Sequence, residues 1–475
     1  MISFNGEQTY EAERVNQEQV IEQGLMNLKS AYCLEPFPVS LKRKDKLKKL
    51  NAAIIANKQR FVEAANQDFS VRAEYDTLVA DLIPTVSHIR YLCRHIDAFM
   101  KPQTKTAGWQ FFPSKVWIEY VPKGVVGIIA PWNYPIQLAL VPLATAIAAG
   151  NKVMIKLSEF TPAVNSVMRD VLKSIEDDCI VVEGDAAIAS AFSQQSFDHL
   201  FFTGSTGVGK QVYAAAAQNL VPVTLELGGK SPLVVLADAN QDKAVLDIIF
   251  AKNMNAGQVC VAPDYVLVEE SIYDAFITKL KYQLLRHEDK EIKTGVLNAH
   301  HAKRLELIIK EAIEAGAQVC HSKPLEDVCA EHFGIHLVLN PPLDSRIMQE
   351  EVFGPVLSVL KVRDLAEAKS IIQSQGSPLT CYLYSDNIED QINIRQSLQA
   401  GSISINDILL HVAVTDLPFG GVGSSGMGQY HGKEGFVTFS HTKSVFQSSS
   451  RIWRSNLFNQ YSHAIKKLLT WLYLK

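Results

Sequence analysis

The chain has no excess of basic over acidic side chains. Among 475 residues, Lys plus Arg number 46 against 50 Asp plus Glu, for a net charge of −4. It therefore lacks the cationic field that holds a protein on phosphate backbones, and nucleic acid is not an expected partner. A disulfide framework is also missing: the seven cysteines are an odd number, scattered without regular spacing, which suits a reducing compartment. No apolar run reaches the roughly 20 residues needed to span a bilayer. The longest, "YPIQLALVPLATAIAAG" (134–150), contains prolines and an amide and reads as a buried helix. The opening "MISFNGEQTYEAERVNQEQV" is polar and acidic, without the charged-then-apolar order of a secretory leader, so a cytoplasmic location is the expectation. Internal repeats and low-complexity linkers are absent too.

What is present is enough apolar material for a sizeable core, 47% hydrophobic against 20% charged, in a chain too long for one core. From about residue 16 to 100 the periodicity is helical, and the Lys/Arg cluster at 42–49 reads as a solvated helix face. From about residue 118 the segments "GVVGIIAP", "KVMIKLS", "HLFFTGS", "PVTLELGG", "SPLVVLADA", "YVLVEE", "VLSVLKV", "CYLYSD" and "GSISIND" alternate with helical stretches. Strands apolar throughout and separated by helices predict parallel sheets covered on both faces, hence an α/β fold. Two sheets are expected, with a seam at "ELGGKSP" (226–232), where paired glycines let the backbone change direction.

Cys260, in "NMNAGQVCVAPD", follows a helical pattern and a permissive Gly257. A nucleophilic thiol there needs partial exposure and nearby positive potential; the alternative is a small core residue. Glu226 sits in an otherwise apolar strand, where burial would raise its pKa toward that of a general base unless a helix N-terminus or an Arg binds it. Asn133 follows a strand end, and its side-chain amide either donates to an oxyanion or caps the next helix. In "FFTGSTGVGK", Gly204, Ser205 and Gly209 form a strand-to-helix turn able to present N–H groups to phosphate. The turn matches neither the three-glycine dinucleotide fingerprint nor the P-loop. Lys156 and Glu159 of "KLSE" either meet ribose hydroxyls or are surface charges.

Taken in order, "PWNYP", "KLSE", "FTGSTGVGK", "ELGGKSP", "GQVC", "EEVFGPV" and "LPFGGVGSSGMG" resemble the NAD(P)-dependent aldehyde dehydrogenase superfamily over roughly residues 40 to 445. "CVAPDY", "INDILLH" and "YHGKEGFVTFSHTKS" look like its class 3 branch and the coniferyl-aldehyde-dehydrogenase-like relatives. The resemblance implies a Rossmann-type cofactor domain (1–102 and 124–228), an α/β catalytic domain (229–428) and a small β oligomerisation extension (103–123 and 440–450) that pairs subunits into a homodimer. It implies oxidation of an aromatic aldehyde such as coniferyl aldehyde, or of a medium- or long-chain aliphatic one, to the acid. In that scheme the Cys260 thiolate attacks the aldehyde and forms a thiohemiacetal. The Asn133 amide and the Cys260 N–H hold its oxyanion, and Glu226 serves the hydrolysis of the resulting thioester. Glu351 would hold the nicotinamide ribose with Phe353 and Trp132 beside it, Lys156 and Glu159 the adenosine ribose, and the Gly204–Ser205–Gly209 turn the pyrophosphate. The five-residue glycine spacing of that turn is the family's own.

The cofactor implied is NAD, with NADP as the alternative: Glu159 would repel a 2′-phosphate and Lys156 could accept one. No metal is expected, because Cys320, His321, Cys329 and His332 in "CHSKPLEDVCAEH" fit no familiar site and read as a loop. The tail "RIWRSNLFNQYSHAIKKLLTWLYLK" (451–475) is basic and aromatic, without Asp or Glu, and Leu457, Tyr461, Ile465, Leu468 and Leu472 recur at helical spacing. That face suits weak contact with a membrane surface, or packing on the protein itself or on a partner subunit. Two rival readings are a coenzyme A-dependent acylating dehydrogenase, disfavoured by the retained Glu226, and a catalytically silent protein on the same fold, for which an idle thiol beside a buried carboxylate has only costs.

Overall fold

The computed structural model describes residues 4–69, 71–286, 293–321 and 324–474. The apolar segments from residue 118 onward form strands of two sheets. In the first, Val125–Ile129 is central, with Lys152–Lys156 and then Cys179–Val182 on one side and His199–Gly204 and then Val223–Leu227 on the other, all parallel. The order of strands therefore reverses between Val125–Ile129 and His199–Gly204. A crevice opens outside the C-terminal ends of strands at such a reversal, which is where open α/β sheets bind ligands. The apolar run 134–150 forms the helix Gln137–Ala149 over this sheet, buried from Ala139 to Ala149.

Gly228–Ser231 then carries the chain into the second sheet. It is ordered Gln318–His321, His336–Leu339, Val356–Val362, Tyr265–Glu269, Pro232–Val235, Thr380–Tyr384, Ser402–Ile405 and is parallel apart from its first strand. A third, antiparallel sheet joins Gln103–Lys105, Lys115–Pro122 and Ser440–Gln447.

Three details depart from the sequence reading. Gly426–Met427, inside the stretch expected to belong to the second unit, returns to the first sheet and pairs antiparallel with Leu225 and Glu226. Cys320 and His321 end an edge strand and are not in a loop; the exposed polar residues at its two ends, Gln318 and His321, hid the strand pattern. Arg43, within the supposedly solvated cluster, is buried and donates from Nε to the Pro38 carbonyl (2.7 Å) and from Nη1 to the Ala148 carbonyl (3.0 Å).

Candidate active site

A cleft of about 900 Å³ opens at the strand reversal, and every residue expected to serve catalysis or cofactor binding lines it except Gly209. Gly209 lies within the helix Thr206–Ala217, and a Cβ there would stand 2.5 Å from Leu227 Cδ2. Its missing side chain allows close helix-on-strand packing. Gly204 ends its strand, and Ser205 caps the helix, its Oγ accepting from the Val208 N–H (3.4 Å). A Cβ built on Gly207 would meet nothing within 4 Å, so the backbone there faces open space. Lys156 is no surface charge: it is buried and donates to Glu159 Oε2 at 2.7 Å, while Glu159 keeps about a third of its side chain exposed.

The thiol is carried on a constrained loop. After the helix Gln241–Asn253, Asn255 (φ 49°), Ala256 (φ 53°) and Gly257 (φ 67°) are left-handed in succession, a conformation that costs non-glycine residues roughly 1–2 kcal/mol each. Buried hydrogen bonds hold it. The Asn255 N–H donates to Asp76 Oδ2 (3.0 Å), and the Gln258 amide donates to the Asn255 (2.9 Å) and Gly295 (3.1 Å) carbonyls and accepts from the Leu297 N–H (2.9 Å). At Gly257 a Cβ would also come within 2.5 Å of the Gly354 carbonyl oxygen. Gly257→Ala is therefore expected to cost about 1–3 kcal/mol of stability and to lower activity in the fraction that folds. Thermal melting set beside specific activity checks this, and a wild-type Tm would refute it.

Asn133 is not a helix cap, because the following helix begins at Gln137. Its buried side chain donates from Nδ2 to the Gln258 carbonyl (3.1 Å), on the thiol loop. Its own carbonyl accepts from Arg72 Nη1 (2.9 Å) and Asn255 Nδ2 (3.0 Å). Arg72, itself buried, pairs with the buried Asp81 at 3.5 Å and lies over the Phe69 ring. The amide thus faces the cleft from a backbone fixed on both sides.

Glu226 is buried in Val223–Leu227, and neither carboxyl oxygen has a hydrogen-bond partner among the described residues. Within that set, no Arg and no helix N-terminus binds it. Burial holds its pKa well above the usual carboxylate range. The Cys260 thiol is pushed up to about 12, first by desolvation and then by the Glu351 and Glu226 carboxylates, against weaker opposing hydrogen bonds from the backbone N–H groups of Cys260 and Val261. Cys260 itself is half-buried, and the charged groups that act most on its sulfur are these two acids.

Glu351 accepts from the Gly229 N–H, and burial with Asp264 nearby raises it to about 7. Its carboxylate lies over Gly228, where a Cβ would fall 2.0 Å from Oε2. Phe353 meets Trp132 edge-on at 5.5 Å, and Trp132 meets His301 at 5.2 Å. Sequence reasoning overlooked His301, Arg304 and Tyr430, which also line the cleft. Nothing in their local pattern separates them from an ordinary helix face or core aromatic.

Comparison with known proteins identifies the family. The model of the aldehyde dehydrogenase family matches residues 37–445. A probable coniferyl aldehyde dehydrogenase of Pseudomonas aeruginosa is 40% identical over 454 residues, covering 94% of this chain and 95% of its own. The 4,4'-diaponeurosporen-aldehyde dehydrogenase of Staphylococcus aureus is 38% identical, covering 91% and 95%. Among solved structures, the substrate-bound state of Staphylococcus aureus AldH superposes with a TM-score of 0.85 at 37% identity, covering 91% of this chain and 95% of that one. A point mutant of betaine aldehyde dehydrogenase from Staphylococcus aureus, in complex with NAD+, superposes with a TM-score of 0.84 at 25% identity, covering 92% and 91%.

Proposed function

Since the chain belongs to the aldehyde dehydrogenase family and so acts on aldehydes, we propose that it oxidises hydrophobic aldehydes, aromatic or medium- to long-chain aliphatic, to carboxylic acids with NAD+, or alternatively NADP+. The observation that carries the chemistry is the pairing of the Cys260 thiol with a buried carboxyl, Glu226, that has no hydrogen-bond partner among the described residues. A carboxyl left unpartnered in a dry site costs free energy, and that cost is explained if its partner is a reacting water or thiol proton.

In this reading the Cys260 proton passes to water in the cleft as the sulfur bonds to the aldehyde carbon, while the Asn133 amide and the Cys260 N–H stabilise the charge developing on oxygen. Bound NAD(P)+ supplies the two-electron acceptor that turns the thiohemiacetal into a thioester. Glu226 then takes a proton from water as its oxygen adds to the thioester carbon; the C–S bond breaks, the acid leaves and the thiol is restored. The crevice fits the dinucleotide: Gly207 leaves room at the helix N-terminus for phosphate, Lys156 ends the strand Lys152–Lys156, and Glu159 lies in the turn that follows it. Glu159, bound to Lys156, would repel a 2′-phosphate, which favours NAD+. Glu351, Phe353 and Trp132 serve the nicotinamide end.

The substrate class draws on the coniferyl and diaponeurosporen-aldehyde relatives and on the apolar wall supplied by Leu138, Leu379, Phe419 and Tyr430. NADH formation from coniferyl aldehyde and from hexanal, measured without coenzyme A, tests the proposal. Absence of turnover with both, reversed by adding coenzyme A, would replace it with the acylating reaction.

We assign 1–102 with 124–228 to cofactor binding, 229–428 to catalysis, and 103–123 with 440–450 to subunit pairing in a homodimer. The assigned location is cytoplasmic and peripheral to membrane. Among the described residues no helix is long and apolar enough to cross a membrane. The tail forms Arg454–Gln460 and Ser462–Tyr473, with Trp453, Tyr461, Leu468 and Trp471 exposed; Leu457 lies outside the described side chains. Arg454 ties it to the protein by donating to the Phe111 (2.6 Å) and Phe112 (3.2 Å) carbonyls. Exposed aromatics among basic residues suit the headgroup region of anionic lipid. Truncation after residue 450 is expected to abolish sedimentation with anionic liposomes; equal sedimentation of both forms would place the tail on the protein itself.

A further inference from the structure

The segment carrying Glu351 and Phe353 is gripped by three cations from three different parts of the chain. Lys230, in the connection between the sheets, donates from Nζ to the carbonyls of Ile347 (2.8 Å) and Glu350 (3.0 Å). Arg304, on the helix Ala299–Glu314, donates to the carbonyls of Glu351 (3.4 Å) and Val352. Lys252, on the helix that leads into the thiol loop, is 2% exposed and donates to the Gly354 carbonyl (3.1 Å). Asp264 completes the set: one oxygen pairs with Lys230 and the other accepts from the Val352 N–H (2.8 Å).

This concentration needs a reason. Buried Lys and Arg are costly to desolvate, and here most of their bonds go to neutral carbonyls. Phe353, inside the gripped turn, is left-handed (φ 51°), a conformation an aromatic residue keeps only when its surroundings impose it. The outcome of holding that backbone is that the Glu351 carboxylate lies against Gly228–Gly229 and the Phe353 ring against Trp132. One cation also touches the loop that carries Cys260: Lys252 shares its helix with the lead into Asn255–Gly257, and its Cδ would lie 3.3 Å from a Cβ at Gly257.

We propose that Arg304, Lys252 and Lys230 are positioning residues that lock the 350–354 turn, so that Glu351 and Phe353 meet the nicotinamide half of the cofactor in register with Cys260. The proposal rests on the cofactor roles given above to Glu351 and Phe353. None of the three cations is assigned contact with the reacting atoms.

The test uses full-length Arg304→Met, Lys252→Met, Arg304→Lys and Glu351→Gln. Three quantities are measured: the KM for NAD+ and kcat of aldehyde oxidation; NADH binding by fluorescence; and hydrolysis of p-nitrophenyl acetate, in which the thiol is acylated and deacylated without cofactor. Loss of charge-assisted bonds to the turn should raise the KM for NAD+ and the NADH Kd about tenfold or more in Arg304→Met and Lys252→Met. Oxidation should fall several-fold further than ester hydrolysis, and Arg304→Lys should recover part of the loss because a donor remains. Arg304 is only partly buried, so its variants keep the question answerable if Lys252→Met does not fold. A parallel fall of ester hydrolysis and oxidation would mean general structural support and overturn the proposal. Nucleotide binding impaired in Glu351→Gln but normal in both Met variants would overturn the lock alone. Normal binding in all three would overturn the cofactor role of Glu351, and the lock with it.

Discussion

Cys260→Ala is expected to abolish NADH formation with every aldehyde, a loss of at least about 10⁴-fold, with little change in nucleotide binding. The remaining six cysteines cannot substitute, because Cys260 is the cysteine that lines the cleft. The environment of the sulfur adds a second expected result. With the thiol held near 12 by burial and by the Glu351 and Glu226 carboxylates, it stays protonated at neutral pH. The thiolate fraction, and with it the rate of alkylation by iodoacetamide, should rise roughly tenfold per pH unit between about 7 and 9 without levelling. A plateau near neutrality would reveal a stabilised thiolate and would count against proton removal being coupled to attack on the aldehyde. Ala at 260 retaining oxidation would end the covalent mechanism altogether.

Glu226→Gln is the second large effect, because it preserves shape and removes the base. Steady-state oxidation should fall by about 10²–10⁴-fold. Rapid mixing should still show a burst of NADH near one equivalent per active site, followed by stalled turnover and a trapped acyl-enzyme visible by mass. The wild-type pH dependence follows from the sign of the Glu226 shift. Its pKa is raised by burial, and the base works only when deprotonated, so deacylation should accelerate with rising pH over a range displaced upward from that of an ordinary carboxylate. The variant should lose that rise. Loss of the burst together with the steady state would instead place Glu226 in the acylation half of the reaction, as the acceptor of the thiol proton.

Cys260, Glu226 and Asn133 each had an ordinary structural reading when taken alone, and they stood out in the sequence only through their order with the other motifs; the fold brings all three to one cleft. The strands "GVVGIIAP" and "HLFFTGS" were legible on their own, since continuous apolar runs have few other uses. What stayed hidden depends on residues distant in sequence. The Arg72–Asp81 pair behind Asn133 and the cations behind Glu351 look like ordinary charges until the fold buries them. The setting of Cys260 could not be read locally, because it depends on burial and on Glu351 and Glu226, from two other segments. The packing of Gly209 on Leu227 was not legible, because a glycine that admits phosphate and one that admits a leucine side chain leave the same letter.

The short strand Gly426–Met427 has a bearing on biosynthesis. Glu226 lies on the strand that it covers, with Gly426 directly opposite, and a Cβ at Gly426 would lie 2.2 Å from the Leu225 carbonyl. On the ribosome Glu226 emerges 200 residues before Gly426, so the flank of the acid's strand is covered only by a contact made late in synthesis. A chain clipped between the two would leave that edge of Val223–Leu227 without its antiparallel partner.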